Sequence, residues 1–217
     1  MNTMAEGKIV SVNVGAVREI LYRGRPRTTA IWKEPVAERL PVLAEQVSGD
    51  HQADLTVHGG WDKAVYSYAS EDYAWWSGEL GETLGPGTFG ENLTTAGIDL
   101  SDLRIGEQVR AGTALLEVTA PRFPCWKLGF RMGTQKFPRR FLEAARAGTY
   151  FAVVEPGDVA AGDPIVSASR PPHPVTVGLI AQLNHADRQL AGLLMDAVHA
   201  GLSPAEWEAL LVRVAAP

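Results

Sequence analysis

The sequence predicts a mainly β (α+β) fold that ends in a small helical domain. Several short segments rich in β-branched and aromatic residues lie before residue 170, and glycine or proline turns separate them. The segment RPPHP at 170–174 is typical of a rigid linker. From Val175 onward, apolar residues recur at helical spacing. We therefore predict a β domain over residues 1–170, and a linker with a three-helix domain over residues 171–217.

The elements of the β domain are predicted from turn signals and periodicity. The predicted strands are 8–14, 28–36 with a break at Pro35, two short strands around the turn at Gly59 and Gly60, a hairpin around Ala111–Gly112, and a pair of strands joined through Pro156–Gly157. A short helix is predicted from Ser70, its cap, with Tyr73 and Trp76 on one face. A second helix is predicted over 135–148, interrupted near its start by Pro138.

The region after the linker carries an apolar stripe of helical spacing. Its members are Ile180, Leu183, Leu190, Leu194 and Val198. A helix start is predicted at LSPAEW, with Ser203 as cap, Pro204 at the first position and Glu206 three residues on. About three short helices hold too few residues for a secure core of their own. We expect them to pack on the β domain, on a partner or on a second copy of the chain.

Composition excludes several classes of protein. Of the 217 residues, 46% are hydrophobic and 21% are charged, which is ordinary for a globular protein. The net charge of −5 argues against a nucleic-acid polymer as partner. No apolar run approaches membrane-spanning length, and the N-terminus does not resemble a signal peptide. A single cysteine excludes an intramolecular disulfide, so we expect a cytoplasmic protein with a reduced thiol.

One glycine motif is discounted because of its context. Gly85, Gly87 and Gly90 match the GxGxxG pattern of dinucleotide-binding loops. That motif needs a strand before it and a helix after it, whereas here a predicted helix precedes it and no helix opens after Gly90. We interpret the segment as a glycine-rich loop that leads into a strand.

The polar residues of VHGGWDK have structural interpretations that compete with functional ones. His58 lies beside a tight turn, where a lone histidine is more often a hydrogen-bonded turn residue than a metal ligand. Asp62 and Lys63 form either a surface ion pair or a cationic contact to an anionic ligand. From the residues alone, the surface pair is preferred.

The segment PRFPCWKL at 121–128 holds the only cysteine, Cys125. Pro121 and Pro124 are expected to deny this segment a regular ladder and to hold it extended. Trp126 is expected to shield the thiol from water. A buried structural cysteine would need none of these neighbours.

Two positive charges accompany this cysteine. Arg122 and Lys127 lie within three residues of Cys125, and cations near a thiol lower its pKa. The resulting thiolate is both a nucleophile and a metal ligand. The alternative is a core cysteine with incidental charges, and the residues alone leave both interpretations open.

Four segments together resemble the MOSC family, the domain named after the C-terminal part of molybdenum cofactor sulfurase. They are 48–76, 85–99, 105–109 and 120–128. The linked motifs HGG.DKAVY, FGENL and PR.PC.KL are far more specific together than any one of them, and the resemblance covers nearly the whole chain. It is greatest to the stand-alone bacterial YiiM-type branch, in which a MOSC barrel precedes a small three-helix domain. The resemblance implies a β-barrel-like fold with a few helices.

The resemblance also implies a bound molybdenum cofactor (molybdopterin) and a set of site residues. One protein cysteine is implied as the metal ligand and catalytic centre, and only Cys125 matches it. The candidates for contacts to the cofactor's phosphate are the basic motif residues Arg122, Lys127 and Lys63. Two further motif residues are expected near the pocket as cofactor-binding residues, His58 and Asn92.

The function that the resemblance implies is a molybdenum-dependent oxidoreductase. Its substrates would be N-hydroxylated compounds, such as hydroxylaminopurines, or N-oxides. The chain carries no flavin or iron–sulfur motif, so a separate reductase or a flavodoxin-like protein is expected to supply electrons. Besides that donor and a small-molecule substrate, we expect neither a nucleic-acid polymer nor a membrane as partner, and a homodimer is left open.

Two other functions stay open at this point. Cys125 could instead hold a persulfide and deliver sulfur for metal–sulfur assembly, because a low thiol pKa serves that role equally well. The chain could also be a structural β domain whose helices mediate assembly. The molybdenum content of the purified protein separates the enzyme from the sulfur carrier.

Overall fold

The computed structural model describes residues 6–53 and 60–215, and within these ranges no helix is long and apolar enough to cross a membrane. The strands are β1 (Glu6–Val14), β2 (Arg18–Tyr22), β3 (Arg25–Thr29), β4 (Glu34–Val36), β5 (Leu40–Leu43), β6 (Gln46–Val47), β7 (Val65–Ala69), β8 (Leu93–Ala96), β9 (Gln108–Ala111), β10 (Ala114–Pro121), β11 (Thr149–Glu155), β12 (Gly157–Val159) and β13 (Pro164–Ser169). The helices are α1 (Ser70–Leu80), α2 (Trp126–Arg131), α3 (Phe137–Ala144), α4 (Val177–Ala186), α5 (Arg188–His199) and α6 (Pro204–Ala215), with a 3₁₀ turn at Trp61–Lys63.

Seven of these strands close into a barrel. Their order is β13–β9–β10–β11–β7–β8–β1, and β1 pairs again with β13 to complete the ring. Neighbouring barrel strands are antiparallel, except that β7 and β8 run parallel. β4 extends the sheet beyond β1, and two smaller sheets are formed by β2–β3 and by β12–β5–β6. This architecture confirms the predicted mainly β fold, together with the barrel and the few helices that the family resemblance implies.

The apolar core lies inside the barrel, because alternate residues of each barrel strand point inward. Every barrel strand contributes a fully buried side chain to it, among them Ile9, Val65, Leu93, Val109, Leu116, Phe151 and Ile165. A second cluster is mainly aromatic and includes Tyr66, Tyr68, Trp76, Phe89 and Phe141. Full burial of one large apolar side chain is worth about 1.5–3 kcal/mol, so the two clusters hold the adjoining segments firmly.

The strand predicted over 28–36 is wrong in its extent. β3 ends at Thr29 and β4 begins at Glu34, so the chain between them leaves the sheet. The expectation that Pro35 breaks a strand is wrong, because Pro35 lies inside β4. β4 pairs on one side only, with β1, and a proline without an N–H is tolerated in such an edge strand.

The hairpin of β2 and β3 is not predicted from the sequence. Its two-residue turn, Arg23–Gly24, has positive φ angles at both residues, 50° and 73°. Turns of this kind match the right-handed twist of the flanking strands and usually carry Asn-Gly or Gly-Gly. An arginine at the first position is uncommon there, so this hairpin carries a weak turn signal.

The other predicted strand pairs have different outcomes. The hairpin around Ala111–Gly112 is confirmed as β9 and β10. The strands predicted on either side of Pro156–Gly157 do not pair with each other: β11 pairs with β10 and β7, and the chain forms a further strand, β12, against β5. The turn predicted at Gly59 lies outside the described residues.

Two helices begin or end differently from the prediction. Ser70 is the first residue of α1 rather than its cap, which is Ala69. Pro138 lies in the first turn of α3 and helps to begin it, because a residue there has no intrahelical N–H bond to lose. α3 ends at Ala144, where Ala145 takes a left-handed φ of 52° and stops the helix before its predicted end.

The three C-terminal helices pack against the barrel. Their buried residues that join the apolar core include Val177, Ile180, Leu194 and Trp207. Of the three alternatives predicted for these helices, the structure shows packing on the β domain. α6 begins with the predicted capping box, in which Ser203 N–H donates to Glu206 Oε2 at 2.8 Å and Glu206 N–H donates to Ser203 Oγ at 3.4 Å. The division into two domains at residue 170 stays a prediction.

The glycine-rich loop at 85–90 brings the backbone of Gly87 against that of Lys33. The loop leads into β8, as the sequence predicts. Gly87 has a φ of 82°, and a Cβ at this position would overlap the carbonyl oxygen of Lys33. Glycine is therefore required here both by the backbone conformation and by the close approach. Gly85, two residues earlier, has open space around its Cβ position.

We expect Gly87→Ala to destabilise the fold and Gly85→Ala to leave it nearly unchanged. The first change forces a side chain into the left-handed region and against a carbonyl, which costs about 1–3 kcal/mol or more. The second removes chain entropy from the unfolded state, an effect of about 1 kcal/mol or less. Urea unfolding of both variants measures the difference, and equal midpoints would contradict the close approach.

Candidate functional site

A pocket lies beyond the C-terminal end of β10 and collects most of the predicted site residues. Five of the six line it: Cys125, Arg122, Lys127, Lys63 and Asn92. The sixth, His58, lies outside the described residues. The segment between β3 and β4 forms another part of the lining, through Ala30, Ile31 and Lys33.

Cys125 is held between the end of β10 and the start of α2. It has an extended backbone, with φ −123° and ψ −179°, and its carbonyl oxygen accepts a bond from Leu128 N–H at 3.1 Å. Its side chain is half-buried. The expectation that Pro121 leaves the ladder is wrong, since it pairs with Thr149 as the last residue of β10. Trp126 does not line the pocket, and its ring stacks on that of Tyr22.

Arg122 is a buried cation beside this thiol. Only 7% of its surface is exposed; its guanidinium lies 5.1 Å from the centre of the Tyr66 ring and donates to the carbonyl oxygen of Phe89. Burial alone would lower the pKa of Arg122, but Tyr66, Tyr150 and Cys125 raise it. The guanidinium therefore stays charged. A fixed cation at this place favours the thiolate form of the cysteine.

Lys33 is a second buried cation, and the sequence gives little sign of it. Its Nζ lies 2.6 Å from Asp50 Oδ2, and the two residues are 9% and 2% exposed. Burial lowers the pKa of Lys33, against the opposing effect of Asp50. Sequence reasoning assigns Lys33 to an ordinary strand, because nothing local shows that distant segments close over it. A lysine directly after two large apolar residues, Ile31 and Trp32, is the one available signal.

The other two lysines of the pocket differ in their surroundings. Lys127, on α2, is 8% exposed, and in the described part of the chain no carboxylate lies within salt-bridge distance of it. Lys63 pairs with Asp62 at 2.8 Å, as the preferred interpretation of this pair expects, and both residues are partly exposed. Lys63 nevertheless lines the pocket, so the ion pair and a contact to a ligand are compatible.

Asn92 is occupied by contacts within the protein. Its Oδ1 accepts a bond from Tyr66 N–H at 3.1 Å, and its Nδ2 donates to Asp50 Oδ2 at 2.9 Å. The side chain is buried, with 3% exposed. These contacts place the Asp50 carboxylate under Lys33. A direct role of Asn92 in holding a cofactor stays a prediction.

Glu91 is fully buried next to this network. Its Oε1 accepts three bonds, from Tyr73 OH at 2.6 Å, Gly87 N–H at 2.7 Å and Thr94 Oγ1 at 2.8 Å. Its Oε2 has no hydrogen-bond partner among the described residues. Burial raises the pKa of Glu91, and the three donors offset this only in part. The folded chain therefore binds a proton here at a pH where the unfolded chain has lost it.

Comparison with known proteins decides the family. The sequence model of the MOSC domain matches residues 54–166, more than half of the chain. The chain belongs to the MOSC family. Domains of this family are associated with the molybdenum cofactor. The matched MOSC span contains Cys125 and the three basic residues predicted from the motifs.

Relatives extend the likeness to most of this MOSC protein. The uncharacterized protein YflK of Bacillus subtilis is 35% identical over 179 residues, which cover 82% of this chain and 81% of that protein. The crystal structure of YiiM from Geobacillus stearothermophilus aligns with a TM-score of 0.73 at 31% identity, over 97% of this chain and 100% of that one. A protein named Reductase from Gibberella moniliformis is 31% identical over 173 residues, 78% of this chain and 30% of that longer protein. The predicted resemblance to the YiiM-type branch is confirmed.

We expect the free energy of unfolding to fall as pH rises above 4.5, which is the pKa of the Glu91 carboxyl in the unfolded chain. Its folded pKa is raised, so the folded state binds more protons than the unfolded chain and loses stability as pH increases towards that pKa. Glu91→Gln keeps the Oε1 acceptor and cannot titrate. As pH rises in this window, the free energy of unfolding of Glu91→Gln should increase relative to that of the wild type by up to about 1.4 kcal/mol per pH unit.

Urea unfolding from pH 4.5 to 7 measures this difference, with the exposed Glu82→Gln as control. The control curve should run parallel to that of the wild type. Parallel curves for Glu91→Gln and the wild type would show that the carboxyl does not titrate abnormally.

Proposed function

We propose that this MOSC protein is a molybdenum-cofactor-dependent reductase of N-hydroxylated compounds, such as hydroxylaminopurines, or of N-oxides. The observation that carries the proposal is a thiol beside a buried cation in one pocket. Cys125 and Arg122 form that pair, and Lys33, Lys63 and Lys127 lie on the same lining. Family membership and the name of the Gibberella relative support an oxidoreductase.

The pocket fits the cofactor in two respects. A thiolate is a soft ligand and suits a metal that already has dithiolene sulfur donors. Lysine and arginine side chains bind phosphate through charge-assisted hydrogen bonds. Lys127 is the most available of the three lysines, because Lys33 and Lys63 each pair with a carboxylate and Lys127 has no such partner in the described ranges.

The overall reaction takes up two electrons and two protons: R–NHOH + 2 e⁻ + 2 H⁺ → R–NH₂ + H₂O. When bound, the cofactor supplies the redox chemistry of this reaction, and the protein supplies ligand, orientation and hydrogen bonds. Cys125 Sγ would hold the metal, and the charge of Arg122 beside it would favour the thiolate form that such a ligand needs. Burial raises the pKa of Tyr150, so its hydroxyl stays protonated at neutral pH and can donate to the substrate's oxygen from the pocket lining.

We propose that the two electrons come from a separate reductase or a flavodoxin-like protein. We also propose that the reaction takes place in the cytoplasm. A small N-hydroxylated molecule is the second partner. Neither a membrane nor a nucleic-acid polymer is part of the proposal. A homodimer stays a prediction.

Sulfur delivery is the competing function, because the same thiol and cation suit a persulfide. A persulfide anion on Cys125 would gain from Arg122 as a thiolate does. Metal and sulfur analysis of protein purified from a host that makes the cofactor separates the two. Stoichiometric molybdenum supports the reductase, and sulfane sulfur without molybdenum supports the carrier.

We expect Cys125→Ser to abolish reduction of N-hydroxylated substrates while leaving the fold intact. The substitution exchanges one atom and hardly alters the volume, but it replaces a soft thiolate by a hard, weakly acidic alcohol. The assay is the reduction of an N-hydroxylated base with an artificial electron donor, at matched molybdenum occupancy. Circular dichroism and thermal unfolding check the fold. Turnover equal to that of the wild type would remove Cys125 from the reaction.

We expect Lys127→Met to lower the molybdenum content of the purified protein. Methionine is similar in length and removes the charge, and a charge-assisted hydrogen bond to phosphate is worth about 1.5–3 kcal/mol. The loss corresponds to roughly tenfold or more in cofactor affinity. The matched control is Lys8→Met, an exposed lysine at the start of β1 that does not line the pocket. Equal molybdenum contents in both variants at limiting cofactor would show that Lys127 does not hold the phosphate.

A further inference from the structure

One face of the β2–β3 hairpin is positively charged and borders the pocket. Directly opposite residues of antiparallel strands share a face, and alternate residues of a strand do so too. The register therefore puts six residues on one face, here called the inner face: Arg18, Ile20, Tyr22, Arg25, Arg27 and Thr29. The opposite face, here the outer face, carries Glu19, Leu21, Pro26 and Thr28.

The inner face leads to Cys125. Thr29, at one end of this face, lines the pocket. Tyr22, at the other end, stacks on Trp126 with 4.3 Å between ring centroids, and Trp126 directly follows Cys125 in the chain. The inner face therefore extends from the pocket lining, where Thr29 is buried, to the helix that begins beside the thiol.

The arginines of the inner face are exposed, whereas the apolar residues among them are half-buried. In the described part of the chain, no carboxylate lies within salt-bridge distance of Arg25 or Arg27, and the one near Arg18 is Glu34 at 3.9 Å. The chain as a whole has a net charge of −5. The inner face thus reverses the overall sign of the protein at this place.

The positive region continues across the margin of the pocket. The guanidinium groups of Arg18 and Arg131 lie 5.8 Å and 5.9 Å from the centre of the Trp32 ring. Tyr22 OH donates to Gln135 Oε1 at 3.2 Å, and the next residue is the exposed Lys136. The charges therefore belong to two segments that are distant in the chain and adjacent in space.

We propose that the inner face is the docking surface for the electron donor, an acidic flavodoxin-like protein that presents carboxylates around its flavin. This rests on the proposed function, which requires an external source of two electrons per turnover. The donor's reduced flavin is oxidised as the N-hydroxylated substrate is reduced to an amine and water. Docking at the inner face brings the donor against the wall of the pocket that holds Cys125.

Charge complementarity favours this partner. Electron-transfer encounters are small and transient, and they depend on opposite charges for fast, oriented association. A compact acidic protein can match a patch of a few arginines. A long polyanion such as RNA would extend from this patch onto the acidic remainder of a chain with net charge −5, where like charges repel it.

The test compares two electron donors on the intact, cofactor-loaded protein. Arg25→Gln/Arg27→Gln removes two charges of the inner face that line no part of the pocket. With an acidic flavodoxin and its reductase as donor, we expect the KM for flavodoxin to rise about fivefold or more at low salt. The kcat at saturating flavodoxin and the rate with reduced methyl viologen should not fall. Near 1 M salt the two proteins should converge, because the Debye length shrinks to about 3 Å.

The matched control is Leu21→Glu/Arg110→Gln, which changes the net charge by the same two units. Leu21 is on the outer face and 68% exposed, and Arg110 lies on β9 beside the start of β10, at the end away from Cys125. Its KM for flavodoxin should stay within about twofold of the wild type. An equal rise in the control would assign the effect to net charge and overturn the docking surface. A loss of the viologen-supported rate in Arg25→Gln/Arg27→Gln would assign the face to the substrate and overturn it as well.

A binding measurement separates this proposal from the proposed function. Flavodoxin binding to the immobilised protein at low salt needs no turnover. Binding that Arg25→Gln/Arg27→Gln weakens and the control keeps supports the docking surface, even if the wild type reduces no N-hydroxylated substrate with either donor and the reductase proposal fails. No binding by the wild type, or tighter binding of a single-stranded RNA oligonucleotide than of flavodoxin to the same face, overturns the docking surface.

Discussion

The buried ion pair of Lys33 and Asp50 is the constraint on which the pocket depends. Residues 30–33 leave the sheet, so strand pairing does not hold them. Instead, the lysine is bound to Asp50, which also accepts bonds from Gly15 N–H at 2.8 Å and from Asn92 Nδ2. The residue after β1, the residue before β4 and the residue before β8 therefore meet at one carboxylate. Removing one partner of such a pair would leave an uncompensated buried charge, at a cost of about 3–5 kcal/mol.

The aromatic cluster explains how a second cation can be buried close by. Arg122 lies over the ring of Tyr66, and the carbonyl oxygen of Phe89 accepts one of its hydrogen bonds. No carboxylate among the described residues is within salt-bridge distance of it. An aromatic face and a carbonyl stabilise a guanidinium only in part. The site is therefore best completed by anions, and a thiolate at Cys125 and a phosphate are anions of the required kind.

The rigid and the exposed parts of the molecule have separate tasks in this arrangement. The closed barrel and the aromatic cluster position the thiol and the cations, and little in them can shift without disturbing a close-packed interior. The β2–β3 hairpin belongs to neither the barrel nor its sheet, and most of its side chains face solvent. A surface of this kind can change its charges without changing the chemistry in the pocket. The proposed division is thus chemistry at the barrel and partner recognition on the hairpin.

The sequence by itself determined the parts of this protein that depend on neighbours along the chain. Periodicity and turn residues predicted the mainly β fold and the C-terminal helices, and contiguous motifs marked the family, Cys125, Arg122 and Lys127. Only the tertiary structure decided that Lys33 is a buried part of the lining and that the inner face borders the pocket. Short-range spacing encodes helix, strand and turn. Whether a charge is buried, and which charges share a surface, depends on segments that are distant in the chain and meet only when the barrel closes.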